Sequence, residues 1–232
     1  MQILLTGGSG LLGTEIQKLQ SGMLAPNREE LDIRSASAVA EFLTDTAPDT
    51  ILHAAAVTNN RDIEADPAEA LDVNIVGTTN IARACIGTNI RLVYVSTDYV
   101  YKGDRGNYAE TDELLPSNLY AWTKLAGEVA VAAVSNHLII RTSFGASRFD
   151  DPEAFVDKWS SKDYVDRIAP KILEATLGGA SGVLNIGGPR RTIYDYAIER
   201  NPDVNKASLN DSSHDSPVDT SLNLDKWESL DD

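Results

Sequence analysis

The chain has little of what marks a secreted, metal-binding or membrane protein. Its 232 residues include one cysteine and three histidines, so a disulfide framework within the chain is excluded, and the scattered His53, His137 and His214 form no metal-binding cluster. We interpret His53 as a structural residue at a strand end. No apolar run approaches the roughly 18 residues that cross a membrane. The sequence enters an apolar run directly after Met1, without a charged leader, and we therefore expect a cytoplasmic protein.

Basic residues are also scarce. Lys and Arg number 20 against 35 Asp and Glu, which gives a formal net charge of −15. A surface of this sign repels phosphate backbones and argues against a nucleic-acid partner. An anionic small molecule would need local positive charge, for which Arg141, Arg190 and Arg191 are candidates.

What the chain does contain is a regular alternation of short apolar runs and helical stretches. Apolar runs predict strands at residues 2–6, 23–25, 50–53, 91–95, 137–140 and 183–186. Periodic stretches predict helices at residues 11–20, 35–46, 67–87, 119–134 and 164–177. This alternation predicts an α/β fold with a doubly wound parallel sheet.

The first apolar run is followed by a glycine-rich turn, Gly7–Gly13, and then by a helical stretch. A phosphate binds bare backbone N–H groups at a helix N-terminus, and glycine lets the main chain turn sharply and come close to it. The strand–turn–helix placement predicts a dinucleotide pyrophosphate site; the alternative is an ordinary tight β-to-α turn. The residues that we expect to contact the cofactor here are Gly7, Ser9, Gly10, Leu11, Leu12 and Gly13.

A second motif, independent of the glycines, joins Tyr120 to Lys124. If residues 119–134 are helical, these two side chains are neighbours on one helix face. Ser96 and Thr97 directly follow the strand at 91–95, at the carboxyl edge where open α/β sheets bind ligands. A hydroxyl, a phenol and an ammonium beside a dinucleotide form a candidate catalytic set.

Together these motifs resemble the extended short-chain dehydrogenase/reductases, and most closely the dTDP-4-dehydrorhamnose reductase group. The matching segments are Gly-x-x-Gly-x-x-Gly at 7–13, Ser96–Tyr101, Tyr108-x-Glu110-x-Asp112, Pro116 and Tyr120–Glu128. The resemblance runs from residue 1 to about 143 and resumes from about 164. It implies a dinucleotide-binding Rossmann domain with the catalytic residues over 1–143. Over 144–232 it implies a reduced substrate-binding region, interleaved with the end of the Rossmann sheet.

The resemblance also implies a reaction: NAD(P)-dependent reduction of a nucleotide-linked 4-keto sugar, with a homodimer consistent with the family. Tyr120 would donate the proton, Thr97 would hold the carbonyl oxygen, and Lys124 would bind the nicotinamide ribose. Ser96 is the rival of Thr97 for the hydroxyl role and also a cofactor contact. We expect a lowered Tyr120 pKa, because Lys124 and an oxidised nicotinamide would both stabilise the phenolate.

The other half of the cofactor site is less sharply marked. NAD-selective sites often place an acid at the end of the second strand, where this chain has Asn27 and Arg28. Arg28 could pair with a 2′-phosphate, so NADP is favoured, with NAD left open. The resemblance places further contacts at Asp32, Ile33, Ala54, Ala55, Ala56 and Asn74, with Asn74 able to tie helix to strand.

The chain departs from the family between Ser143 and Tyr164, a region that is shorter here and lacks a recognisable Gly-x-Pro-Thr-like segment. Trp159 could stack on a base or sugar, and Ser160, Ser161 and Lys162 could hydrogen-bond to it. The alternative is a loop that only caps the core. This departure leaves two other functions open: an epimerase or dehydratase on the same scaffold, and a non-catalytic NAD(P)-binding regulatory subunit.

Residues 201–232 contain eight acids and two lysines, which predicts a solvated tail. Within it, the segment Pro217–Lys226 resembles the closing segment of the family. We therefore expect this segment to be ordered and to fold back near the substrate pocket.

Overall fold

A computed structural model describes residues 1–211 and 216–230; His214 lies outside the described residues. The strands are β1 (Ile3–Thr6), β2 (Thr50–His53), β3 (Arg91–Val95), β4 (His137–Thr142), β5 (Phe144–Gly145), β6 (Glu153–Phe155), β7 (Trp159–Ser160), β8 (Asp163–Tyr164), β9 (Gly182–Ile186), β10 (Arg191–Thr192) and β11 (Asn205–Ala207). The helices are α1 (Leu11–Leu19), α2 (Ala36–Thr46), α3 (Asn60–Ala65), α4 (Pro67–Leu71), α5 (Thr78–Cys85), α6 (Leu119–Ala132), α7 (Val165–Leu177), α8 (Ile193–Ile198) and α9 (Asp225–Glu228). Within the described ranges, none of them has the length and hydropathy that a bilayer crossing requires.

The central sheet has five parallel strands in the order β1-β2-β3-β4-β9. Its strands are short, almost entirely buried apolar runs, because helices cover both faces. One face packs on α1 and α7, the other on α2, α5 and α6. The predicted α/β class and doubly wound parallel sheet are confirmed.

The predicted strand at residues 23–25 does not form. Leu24 alone bridges to Leu4, through one bond from the Leu24 N–H to the Ile3 carbonyl (2.9 Å) and one from the Leu5 N–H to the Leu24 carbonyl (2.7 Å). Pro26 then lacks the N–H that would continue the ladder, and the Asn27 side chain accepts bonds from the following backbone. The chain turns away here, which leaves a crevice beside the end of β1.

The long helix predicted from Pro67 forms with one irregularity. Between α4 and α5 the helix widens into a π-helical segment, Asp72–Gly77. The helix then continues as α5 and ends at Cys85. Segments of this kind recur at functional sites because they reorient side chains without ending a helix. Here the segment turns Asn74 into the interior.

Short strand pairs cover the carboxyl edge of the sheet. They join β5 to β8, β6 to β11, and β7 to β10. The segment from residue 216 onward returns beneath them: Asp219 bridges to Asp104 and Trp159, and Leu222 bridges to Tyr108. The expectation of a solvated tail is wrong for residues 219–222 and for Trp227, which are buried in the body of the protein. Asn205, Lys206 and residues 228–230 are exposed, as expected. The expectation that Pro217–Lys226 folds back is confirmed.

Candidate active site

Two adjoining cavities open along the carboxyl edge of the sheet. The first has a volume of about 270 Å³ and lies between the glycine turn and the loop around residues 26–34. The second, of about 590 Å³, extends from the glycine turn past the end of β3 to the short strands. They share the wall residues Gly7, Gly10, Ala54 and Ala56, so one extended molecule can occupy both.

The glycine turn is shaped for a phosphate. Gly7 has a φ of +76°, and a Cβ built on it would lie 2.7 Å from the Ala55 nitrogen. A Cβ on Gly13 would lie 2.2 Å from the Gly7 carbonyl oxygen. Gly10 precedes α1, and no side chain caps that helix, so its first N–H groups are free of protein capping partners. Bare N–H groups at a helix N-terminus fit the pyrophosphate of a dinucleotide.

The predicted cofactor residues gather around these cavities with one exception. The lining residues among them are Gly7, Ser9, Gly10, Leu11, Leu12, Gly13, Arg28, Asp32, Ile33, Ala54, Ala55, Ala56, Ser96, Tyr120 and Lys124. Asn74 lines neither cavity. Its amide exchanges two bonds with the Val57 backbone (2.8 and 2.9 Å) and donates to the Thr123 hydroxyl at 2.9 Å. Asn74 therefore ties the π-helical segment to the loop after β2 and to α6, and its contact with the cofactor stays a prediction.

Charged side chains surround the outer end of the first cavity. Arg34 pairs with Asp32 at 2.6 Å and holds the pKa of that carboxyl down at about 2. Glu69 pairs with Arg28 at 2.8 Å and with Arg34 at 3.1 Å. The sequence reading missed Arg34 and Glu69, because Glu69 reaches this place only through the packing of α4. Asp32 is thus ion-paired with Arg34, and the guanidinium groups of Arg28 and Arg34 lie at the rim of the first cavity.

The three candidate catalytic side chains line the second cavity. Thr97 lies just past β3, where its hydroxyl accepts a bond of 3.2 Å from the Tyr99 N–H. Asn118 caps α6 by accepting a bond of 2.8 Å from the Ala121 N–H, which fixes where the helix begins. Tyr120 then falls in the first turn of α6 and Lys124 one turn later, so the spacing brings both to the cavity.

Lys124 is buried against an aromatic face. Its ammonium lies 4.1 Å from the centre of the Tyr94 ring, an arrangement that favours the charged form. Burial nevertheless lowers the pKa of Lys124 to about 7, while the charge of Glu128 acts in the opposite direction. The lysine therefore titrates near neutrality.

The protein's own residues raise the pKa of Tyr120, whereas the sequence led us to expect a lowered pKa. Burial raises the pKa of the phenol, and the charge of Asp98 raises it further. The Thr97 side chain acts in the opposite direction, but with a smaller effect. The expectation was wrong because desolvation is set by tertiary packing, which the Tyr120–Lys124 spacing does not reveal.

A buried ion pair ties the catalytic elements together. Glu128 on α6 pairs with Arg141 on β4 at 2.8 Å, and the two side chains are only 5% and 4% exposed. The Ser96 hydroxyl donates a bond of 2.5 Å to the same carboxylate. The Glu128 carboxylate thus connects α6, which carries Lys124, with β4 through Arg141 and with the end of β3 through Ser96.

Asp98, which follows Thr97, is the carboxyl that the sequence offers beside Thr97 for the acid–base chemistry of a dehydratase. Its carboxylate is buried, accepts bonds from Thr220 (2.6 Å) and Ser160 (3.2 Å), and faces the second cavity. Burial raises its pKa. The only sequence signal was its position in Ser96–Tyr101.

The comparison with known proteins identifies the family. A family model, the RmlD substrate binding domain, matches residues 1–169. The chain belongs to this family.

Named relatives of this RmlD family member fall into two kinds. The dTDP-4-keto-6-deoxy-D-glucose reductase of Streptomyces niveus is 32% identical over 217 residues, covering 84% of this chain and 75% of the relative. The methionine adenosyltransferase 2 subunit beta of Xenopus tropicalis is 31% identical over 204 residues, covering 75% of this chain and 61% of the relative. A crystal structure of a dTDP-4-dehydrorhamnose reductase from Clostridium acetobutylicum has a TM-score of 0.87 at 25% identity, over 96% of this chain and 90% of that one. Against several other dTDP-4-dehydrorhamnose reductases, the match spans about half of the relative's length.

The region that departs from the usual RmlD-family sequence forms the far wall of the second cavity. Lys158, Ser160 and Lys162 line it, whereas Trp159 does not. The Trp159 ring instead lies 4.1 Å from the Arg190 guanidinium, so its proposed stacking on a ligand is not supported. Ser161 also points away and bonds to the Leu222 backbone.

The three arginines proposed as anion contacts are all neutralised within this RmlD-family chain. Arg141 is held by Glu128, and Arg190 pairs with Asp219 at 2.7 Å. Arg191 pairs with Asp163 and Glu199. None of the three lines either cavity, so this expectation is wrong.

His53 behaves as the sequence reading predicts. Its ring is fully buried, with Nδ1 2.6 Å from the Thr6 hydroxyl and Nε2 2.9 Å from the Thr78 hydroxyl. Burial lowers its pKa to about 3. Both nitrogens are occupied by the protein, which leaves no atom for catalysis.

Proposed function

We propose that this member of the RmlD family is an NAD(P)-dependent reductase of a nucleotide-linked 4-keto sugar. The observation that carries the proposal is the convergence of Thr97, Tyr120 and Lys124 on one cavity that shares its wall with the glycine turn. Reduction of a ketone needs a hydride on carbon and a proton on oxygen. A bound nicotinamide supplies the hydride.

The chain's own residues handle the proton. Tyr120 donates its phenolic proton to the carbonyl oxygen, and the Thr97 hydroxyl holds that oxygen in place. The raised pKa of Tyr120 keeps the phenol protonated before reaction, so the donor is ready at neutral pH. As the phenolate forms, the Lys124 ammonium one helix turn away stabilises it, and the phenolate in turn favours the charged lysine.

The cofactor contacts follow the two cavities. In this proposal the N–H groups around Gly7, Gly10 and Gly13, with Ser9, Leu11 and Leu12, hold the pyrophosphate. Asp32 and Ile33 lie against the adenine, Ala54–Ala56 line the dinucleotide, and Ser96 and Lys124 flank the nicotinamide ribose. Arg28 takes a 2′-phosphate, which favours NADP, while the neutralised Asp32 gives NAD no free acid at the ribose.

The proposed function assigns different roles to the two parts of the chain. Residues 1–143 carry the cofactor and catalytic side chains, and residues 144–232 provide the substrate wall. The division is interleaved, because β9 comes from the second part and completes the central sheet.

The deciding experiment titrates NADPH and NADH separately and then follows loss of reduced-nicotinamide absorbance with a panel of 4-keto nucleotide sugars. We expect oxidation with at least one dTDP-linked member. An epimerase or dehydratase would convert substrate without net cofactor oxidation. A dehydratase is disfavoured because the Asp98 carboxyl beside Thr97 accepts hydrogen bonds from Thr220 and Ser160.

A second candidate function is a non-catalytic cofactor-binding subunit. It is favoured by the likeness to the methionine adenosyltransferase subunit. Cofactor binding without oxidation across the whole panel would support this candidate and contradict the reductase.

A further inference from the structure

Two lysines stand out on the far wall of the second cavity. Lys158 and Lys162 both line it, and among residues 1–211 and 216–230 neither ammonium forms an ion pair with a carboxylate. Lys158 donates to the Tyr99 hydroxyl at 3.2 Å and to the Ser216 hydroxyl at 2.6 Å. The Lys162 ammonium lies 5.7 Å from the centre of the Tyr196 ring. The partners in these two hydrogen bonds and in this ring contact are neutral groups.

This lack of ion pairing is unusual in a chain with a formal net charge of −15. The nearby Arg141, Arg190 and Arg191 all find carboxylates. Burial lowers the pKa of Lys158 and Lys162, while the charge of Asp98 acts in the opposite direction on both; the charge of Lys158 further lowers the pKa of Lys162. Two partly buried like charges in one cavity cost free energy unless an anion joins them.

The other charged groups around this cavity leave room for such an anion. Asp98 faces both lysines, but its carboxyl is bonded to Thr220 and Ser160 and burial raises its pKa. Asp151 and Glu153 lie at the exposed rim. Lys124 adds a third positive group.

The local backbone explains why the two ammoniums share one wall. Along an extended stretch, alternate side chains point to opposite sides. Lys158, Ser160 and Lys162 therefore face the cavity, while Trp159 and Ser161 pack behind it. The Ser160 hydroxyl also accepts a bond of 3.0 Å from the Lys162 N–H, which fixes the turn between them.

We propose that Lys158 and Lys162 together bind the two phosphates that join the nucleotide to the sugar in the substrate. This inference rests on the proposed function and adds its recognition element. The lysines line the second cavity only, whereas Gly7 and Gly10 of the cofactor cradle line both cavities; we assign the lysines to the substrate and the glycine turn to the cofactor. Two singly charged phosphates match two ammoniums, and the sugar then extends toward Thr97 and Tyr120.

The test measures binding of dTDP to the protein saturated with NADP, by titration calorimetry, for the wild type, Lys158→Gln, Lys162→Gln and the double variant. We expect about a tenfold loss of affinity for each single variant and about a hundredfold loss for the double, as for charge-assisted bonds of ordinary strength. Lys18→Gln, an exposed lysine on α1, is the matched control and should bind dTDP like the wild type. The double Arg replacement should restore most of the affinity.

The outcomes separate this inference from the proposed function. A double Gln variant that binds dTDP within twofold of the wild type overturns the lysine subsite and leaves the reductase standing. Loss of dTDP binding in the variants, together with no turnover of any keto sugar by the wild type, supports the subsite and overturns the reductase. A wild type that binds none of dTDP, UDP and GDP overturns both. NADP affinity, measured in parallel, should stay the same in every variant.

Discussion

The Asp98 carboxylate accepts a hydrogen bond of 2.6 Å from the hydroxyl of Thr220, a residue 122 positions further along the chain. Ser160 donates a second bond, of 3.2 Å, to the same oxygen. The loop that carries Thr97 is therefore fastened to the returning segment and to the short strands at once. The position of the candidate catalytic hydroxyl depends on all three parts of the chain.

Replacing Thr220 with Val should loosen this arrangement. The buried carboxylate loses a donor, which costs about 1–3 kcal/mol of unfolding free energy and raises the pKa of Asp98 further. Urea unfolding measures the first effect, and a lower kcat with unchanged NADPH affinity measures the displacement of Thr97. Thr111→Val, at an exposed position, is the control; equal effects from both variants would contradict the role of the Asp98–Thr220 bond.

Replacing Tyr120 with Phe should remove the proton donor and little else. We expect kcat to fall by about a hundredfold to ten-thousandfold, the usual contribution of a positioned acid. NADPH affinity, followed by fluorescence, should change little. Tyr194→Phe, outside the cavities, should keep full activity. A Tyr120→Phe variant that retains most of its turnover would remove this residue from the mechanism.

Replacing Arg28 with Ala should change the choice of cofactor. The Arg28 side chain is 58% exposed at the cavity rim, and among residues 1–211 and 216–230 its one ion pair is with Glu69, so its guanidinium is accessible to a phosphate. We expect NADPH affinity to fall by about tenfold or more through the lost charge-assisted bond, with NADH affinity nearly constant. Arg83→Ala on α5 serves as the control. Equal losses for both cofactors would assign the 2′-phosphate to another group, and Arg34→Ala is then the next variant to measure.

Breaking the Glu128–Arg141 pair should destabilise the protein strongly. Removing one partner leaves the other charge buried, which costs about 3–5 kcal/mol, so Arg141→Met should lower the free energy of unfolding by that amount. Adding Glu128→Leu to it should recover part of the loss, since no buried charge then remains unpaired. Lys102→Met, which breaks the exposed pair with Asp104, should leave stability nearly unchanged. A double variant as unstable as the sum of the singles would contradict this account.

His53 should make the fold sensitive to acid. Its pKa is lowered to about 3 in the folded chain, against about 6.5 when unfolded. Between these values the unfolded chain binds one more proton, so stability is complete above pH 6.5 and is lost as pH falls toward 3. The loss from this residue is on the order of 5 kcal/mol.

The measurement compares the free energy of unfolding at several pH values between 4 and 7 for the wild type and His53→Gln. The variant should show a smaller slope, whatever its absolute stability. Thr111→Val, an exposed change that removes no titrating group, should keep the wild-type slope. Identical slopes in all three proteins would assign the acid sensitivity to carboxylates instead.

The parts of the site that the sequence predicted are those fixed by local spacing. The glycine turn follows a strand directly, and Tyr120 and Lys124 share a helix face, so a few neighbouring residues suffice. The Asp98–Thr220 bond depends on pairing between distant segments, which leaves no periodic trace in the sequence. The Tyr120 pKa was mispredicted for the same reason, since burial comes from elements far along the chain. At Leu24, an apolar triplet predicted a strand, but Pro26 ended the ladder after one bridge.

The returning segment also sets an order for biosynthesis. Thr220 and Ser221 bond to the loop that carries Asp98 and Asn107, and they leave the ribosome more than a hundred residues after it. In a nascent chain, the glycine turn and the strands of the central sheet would thus be synthesised before Thr220 and Ser221 are available to bond to the loop that carries Asp98 and Asn107.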